Sequence, residues 1–166
     1  MAFDCFLKIG DVKGESTDDV LKDSIEVYSF SFGASNPASI ESGTGGGGAG
    51  RASISSFNVM KRTDKSSPIL FQACCLGQHY EKAEVQIRKA AGKDGKQAAY
   101  LLYEFGHVFV DSIQWSGSSG GDAYPTESLS LSFGDVKIKY FAQEAGGKLA
   151  TTPQQAGWSI VTNKAV

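Results

Sequence analysis

Apolar and polar residues alternate with a period of two along most of the chain, the spacing that puts successive side chains on opposite faces of a strand. Phe3, Cys5, Leu7 and Ile9 share one face of an opening strand. Val85 and Ile87 alternate with Glu84, Gln86 and Arg88, and Leu129, Leu131 and Phe133 alternate with Ser128, Ser130 and Ser132. The same pattern marks Ile25 to Phe32, Ala52 to Lys61, Ala99 to Trp115, Val136 to Phe141 and Trp158 to Thr162. Each reads as a strand with one buried face. About eight such strands are enough to close a small barrel and remove its edges.

Two stretches depart from this period. Ser67 and Pro68 read as an N-cap followed by proline at the first helical position. Ile69, Leu70, Phe71, Ala73 and Cys74 then form an apolar helical stripe that ends before Gly77, so one short helix is expected to plug an end or side of the barrel. Ala34 to Arg51 contains Pro37 and the run Gly45 to Gly48, which predicts a long exposed loop. Loops of that length in compact domains often make contacts. Gly117 to Gly121 is a second small-residue turn, and neither an internal repeat nor a linker divides the chain.

Composition narrows the class. The 166 residues fit a single domain spanning 1–166, which would bury about 70% of its unfolded surface. With 41% hydrophobic and 20% charged residues, the chain lacks the signature of disorder. A net charge of −2 and the absence of a dense basic run argue against nucleic acid as a partner. Three cysteines cannot all pair, and a bridge between adjacent Cys74 and Cys75 would be strained, so folding in a reducing cytoplasm fits best. The first ten residues carry Asp4 and lack a basic start, which is unlike a Sec signal. No apolar run reaches about eighteen residues, so no spanning helix and no membrane insertion are expected. Export would therefore require a dedicated machine.

The candidate chemistry is weak. Gly45 to Gly50 before Arg51 resembles a phosphate-binding loop only superficially, because Arg51 stands for the lysine, Ala52 for the hydroxyl residue, and a strand follows. Cys74, Cys75 and His79 offer thiols and an imidazole, but adjacent helical cysteines diverge by about a hundred degrees and no second ligand pair follows. Buried cysteine is the simpler reading. His107 shares a predicted strand face with Tyr103, Phe105 and Phe109 and reads as packed or interfacial. Asp4, Glu26, Glu104 and Asp111 form no recognisable catalytic pair. No enzyme, metal or cofactor is expected. The more informative feature is the small hydroxyls opposite the apolar faces: Val27, Ser29 and Ser31 share one side of their strand, with Tyr28, Phe30 and Phe32 on the other. Ser53, Ser55 and Ser56, and later Ser128, Ser130 and Ser132, add to them. Such a surface is either solvated, or meets other subunits or lines a passage.

The opening MAFDCFLKIGDVKGES, Met1 to Ser16, resembles the start of the Hcp family. IEVYSFSFG at Ile25 to Gly33, IRKA within Tyr80 to Ala91, TESLSLSFGDVKIKY at Thr126 to Tyr140 and GWSIVTN at Gly157 to Asn163 are similar in character and order. The resemblance runs from Ala2 to Asn163, and its specificity lies in the order of the blocks. Leu21 stands where a polar residue is expected, and Glu81 where proline is frequent.

This resemblance implies a closed, phage tail-tube-like β-barrel with a short helix, assembling into homohexameric rings that stack into the inner tube of the type VI secretion system. It implies partners: a VgrG-like spike protein, contractile sheath and baseplate proteins, and small effector proteins carried in the lumen. It also implies residence in the cytoplasm before firing, then release outside the cell. Carried onto this chain, the lumen contacts are Ser31, Ser29 and Val27, and the ring-stacking loop includes Ser35, Asn36, Ile40, Glu41, Gly45, Gly46, Gly47, Gly48 and Arg51. The competing class is a monomeric barrel holding a small apolar ligand. A third, an enzyme using Cys75 and His79, has less support.

Overall fold

A computed structural model describes residues 3–39, 48–90 and 97–166. The chain begins with β1 (Asp4–Ile9), followed by the short β2 (Ile25–Glu26) and β3 (Ser29–Ser31). Next come β4 (Ala34–Ser35), β5 (Ala38–Ser39), β6 (Gly48–Ala49) and β7 (Ser53–Ile54). Then follow β8 (Phe57–Arg62), α1 (Ser67–Leu76), β9 (His79–Ala90) and the 20-residue β10 (Gln97–Ser116). The last strands are β11 (Thr126–Ser132), β12 (Asp135–Tyr140), β13 (Gln154–Ser159) and β14 (Lys164–Ala165).

Among the described residues, the fold is mainly β with one short helix, and ten strands join in one antiparallel sheet. β10 organises it. Along one edge β10 pairs with β9; along the other it pairs first with β12, at Leu101 to Gly106, and then with β11, at Phe109 to Ser116. The sheet thus forks into two wings. The first contains β2, β1, β9, the early half of β10, β12, β13 and β14. The second contains the late half of β10, β11, β8 and β3.

The fork has a local cause. His107 lies in the left-handed region with φ of 53°, and the amide of Gly134 bonds the carbonyls of both Gly106 and His107. This irregularity flips the alternation: Phe105 is buried before it, Val108 and Val110 after it, and Phe109 is 42% exposed. His107 therefore does not share a face with Phe105 in the way a regular strand requires. A bulge at Asp111 breaks the register again.

The inner sides of the wings meet in a core of Leu7, Ile9, Val85 and Ile87 from one and Phe57, Val59, Leu129 and Leu131 from the other. Aromatic rings join the two wings, with Phe57 lying 5.2 Å from Tyr103 and 5.1 Å from Phe105. Strand pairing does not link β2 to β3, so the sheet is not a hydrogen-bonded closed ring. At the intervening corner, the amide of Val27 donates to Cys5 and that of Tyr28 donates to Met60, one bond toward each wing.

Other expectations change in detail. The N-cap of α1 is Ser66, which makes no side-chain cap bond; the Ser67 hydroxyl accepts from the Asp64 amide at 3.0 Å instead. Leu70 and Ala73 are buried, but Ile69 and Phe71 project outward, so the apolar stripe wraps around the helix and is not confined to one face. The loop expected from Ala34 to Arg51 includes a paired ribbon: Ala34 opposes Ile54, Ser35 opposes Ser53, and Ala38 opposes Ala49. Trp158 belongs to β13, which starts earlier and ends at Ser159, before the expected Thr162. Among the described residues, no helix is long and apolar enough to cross a membrane.

Candidate functional site

The outward side of the second wing is a neutral hydroxyl surface. Strand register aligns its side chains in rows: Ser31, Asn58, Ser130 and Ser112 form one, and Ser29, Met60, Ser128 and Gln114 the next. Residues two apart on one strand point the same way, so both rows face outward while Val59, Leu129 and Leu131 face the core. Ser29 and Ser31 are exposed, as the alternation predicts. Val27 does not join them: it is 6% exposed and belongs to the core, because the chain turns from one wing to the other at Val27 and Tyr28.

Each end of this surface carries one charged side chain. The Arg62 guanidinium lies over the rings of Tyr28, at 5.5 Å, and Tyr124, at 4.7 Å. At the other end the Asp111 carboxylate accepts hydrogen bonds from the hydroxyls of Ser56, at 2.9 Å, and Ser132. Beneath the face lies an ion pair that sequence reasoning missed. Lys61 and Glu127 oppose one another on β8 and β11 with side chains fully shielded from solvent, their Nζ and Oε1 2.5 Å apart. Lys61 also donates to the Arg62 carbonyl at 2.9 Å, to Asp64 at 3.0 Å and to Ser67 at 3.1 Å. One side chain thereby fastens the start of α1 to the second wing. Period-two alternation puts Lys61 on the face of Phe57 and Val59 and Glu127 on that of Leu129 and Leu131, so their parity was the signal in the sequence, and the strand register brings the two together.

The outward side of the first wing differs. Lys8, Glu84, Glu104 and Lys137 form a continuous transverse row, and Lys139 adds a 2.8 Å bond to Glu104. The ribbon residues Ser35, Asn36 and Arg51 are exposed, and the Arg51 guanidinium reaches the Ile160 carbonyl at 3.5 Å. Gly48 lies in β6, while Ile40, Glu41, Gly45, Gly46 and Gly47 fall outside the described residues.

The candidate reactive groups do not converge. Cys74 contacts the Asp111 carbonyl at 3.6 Å, Cys75 is exposed, and His79 packs beside Phe109 and His107. Burial pushes the Cys5 thiol up to about 12, the opposite of what a nucleophile needs. Among the described residues, no group of three or more His, Cys, Asp or Glu could hold a metal ion. The interior is occupied by its own rings: Phe57 stacks with Phe30 at 5.5 Å, and Phe105 lies 4.7 Å from Phe133.

Comparison with known proteins agrees with this picture. The family described as "Type VI secretion system effector, Hcp" matches residues 6–140. The chain is 42% identical over 163 residues to Protein hcp1 of Pseudomonas aeruginosa, covering 98% of each chain. A solved structure described as that of a type six secretion system protein is similar with a TM-score of 0.92 and 39% identity, covering 99% of this chain and 100% of the other. Hcp1 from Salmonella typhimurium is similar with a TM-score of 0.80 and 32% identity, over 100% of both chains. With agreement across nearly its whole length in both sequence and fold, the chain belongs to the Hcp family and is a tube protein of the type VI secretion system.

Proposed function

We propose that the chain, as one domain, forms homohexameric rings that stack head to tail, with the neutral face of the second wing toward the lumen. The observation that carries this reading is the pair of rows built from Ser29, Ser31, Asn58, Ser112, Ser128 and Ser130. Small hydroxyls and an amide offer short, exchangeable hydrogen bonds, so an effector protein can rest against them and leave. Ser29 and Ser31 are the contacts proposed for such cargo, with Val27 supporting them from the core side. The barrel closes at the Val27–Tyr28 corner, a proposal supported by the hydrogen bonds those two residues make to opposite wings. The segment Ser35 to Arg51 meets the neighbouring ring, while sheath, baseplate and a VgrG-like spike surround and cap the tube. The protein works without catalysis, and leaves the cytoplasm with the tube when the system fires. The apolar-ligand alternative loses ground because Phe30, Phe57, Tyr103, Phe105 and Phe133 fill the space between the wings.

Light scattering behind a sizing column tests the assembly. Six times the chain mass is the expected result, and a monomer at every concentration overturns the ring. Ser31→Trp tests the lumen, with unchanged mass and reduced recovery of small co-secreted proteins expected.

A further inference from the structure

The two charged side chains at the ends of the neutral face are held in different ways, and among the described residues neither has an opposite charge beside it. Arg62 lies at the β8 end, against Tyr28 and Tyr124, whose rings stay 48% and 56% exposed. Aromatic faces fix a guanidinium while leaving its N–H edge able to donate. Its neighbour Asp64 is already bound by Lys61, and Asp23 lies near Lys65 at 3.7 Å. Among the described residues, no carboxylate lies within salt-bridge distance of Arg62. Asp111 projects at the opposite end from a bulge, with Ser56 and Ser132 both donating to Oδ2. Its other oxygen has no hydrogen-bond partner among the described residues. Both side chains are exposed. Ser56 and Arg62 are six residues apart along the same run, so the charges stand roughly 20 Å apart.

A surface with a fixed cation at one end, a fixed anion at the other and neutral hydroxyls between them is complementary to itself after translation. Where copies join end to end, as a contact between Arg62 of one and Asp111 of the next requires, a two-fold axis at the junction would bring like ends together, whereas translation brings opposite ends together. That is the polarity a head-to-tail contact requires. We infer that Arg62 of one copy meets Asp111 of the next, and that this contact sets the direction in which copies of this chain assemble. The inference rests on the ring-and-tube reading and adds to it the pair of residues that joins successive copies. Arginine suits the role because its planar fork can give two parallel hydrogen bonds to one carboxylate. Orienting both groups before contact reduces the entropy lost in making it.

Charge exchange tests the pair. Arg62→Asp and Asp111→Arg would be prepared separately and together, and assembly followed by light scattering and sedimentation against protein concentration. Circular dichroism of each variant checks folding, and Asp111→Asn with Arg62→Gln supply milder versions. Each single reversal is expected to move assembly to roughly tenfold or higher concentration, and the double variant to recover most of the loss. Mixing the two single variants should restore assembly with the two alternating, because every junction between one variant and the other joins opposite charges. Single variants that stop at monomers place the contact within the ring; variants that form rings without tubes place it between rings. Single variants that assemble like the parent overturn the inference while leaving the ring intact. Variants that assemble normally but lose small co-secreted proteins also overturn it, and assign the charges to cargo. A parent chain that is monomeric throughout overturns both readings.

Discussion

The two wings place their charges on opposite sides. The first is apolar toward the core and carries Lys8, Glu84, Glu104, Lys137 and Lys139 outward, as a solvated sheet normally does. The second turns neutral hydroxyls outward and hides Lys61 and Glu127 beneath them. Burying an ion pair carries a desolvation cost that an exposed pair avoids, so stability alone does not favour the second arrangement. The difference teaches that the hydroxyl rows of the second wing are neutral between Arg62 and Asp111, while Lys61 and Glu127 are held in the interior below them.

The sharpest way to break this contrast is to remove one buried charge. Lys61→Met leaves Glu127 unpaired in the interior, and should destabilise the fold by about 3–5 kcal/mol. Replacing both partners, as Lys61→Met with Glu127→Leu, should recover most of that loss. Lys139→Met removes the corresponding bond on the first wing, where the Lys139 and Glu104 side chains are 26% and 35% exposed. It should cost less than about 1 kcal/mol. Urea unfolding at one fixed protein concentration measures all three. Equal losses from the two lysine variants would remove the distinction between the wings.

A smaller effect probes how loosely the charged face is tuned. Glu84 and Glu104 stand directly opposite each other, and facing like charges repel. Lys8 and Lys137 flank them, and Gln86 donates to Glu84. Glu84→Gln should therefore leave stability unchanged or raise it by up to about 1 kcal/mol, read from the thermal midpoint. A clear loss would show that the row acts as one connected network, with Glu84 essential to it.

Much of this contrast was legible in the residues themselves. The alternation of Leu129 and Leu131 with Ser128 and Ser130 placed the hydroxyls outward, and proline followed by an apolar stripe located α1. The places where the chain changes wing were hidden. Period-two alternation assigns faces only relative to the previous residue, so one irregular residue reverses every later assignment. That happens at the Val27–Tyr28 corner and at His107. Val27 looked like a partner of Ser29 because nothing local announces the corner. Lys61 was missed for another reason: a charge is ordinarily solvated, and its burial becomes possible only when Glu127, Asp64 and Ser67 converge from three other places.

Arg88 marks a place where the first wing departs from its own rule. It points outward from β9 yet is only 5% exposed, and it bonds Asp18 at 2.7 Å and the Gln97 carbonyl at 3.1 Å. Asp18 also accepts from the amides of Leu21 and Val20, which ties the segment before β2 to the sheet. The Leu21 amide and then the Arg88 guanidinium hold the Asp18 carboxyl below its usual 3.8, against an opposing effect of burial. A carboxyl lowered by folding contributes stability that is complete above its unfolded value and disappears as pH falls through its folded value. The advantage of the parent over Asp18→Asn should thus be constant near neutral pH and shrink as pH falls below about 3.8. Because the Asp18 side chain stays partly exposed, salt should reduce it as well. Unfolding curves from pH 7 to pH 3 decide the point: a gap that widens toward acid would mean that the Asp18 carboxylate does not fasten this segment, leaving Arg88 covered for some other reason.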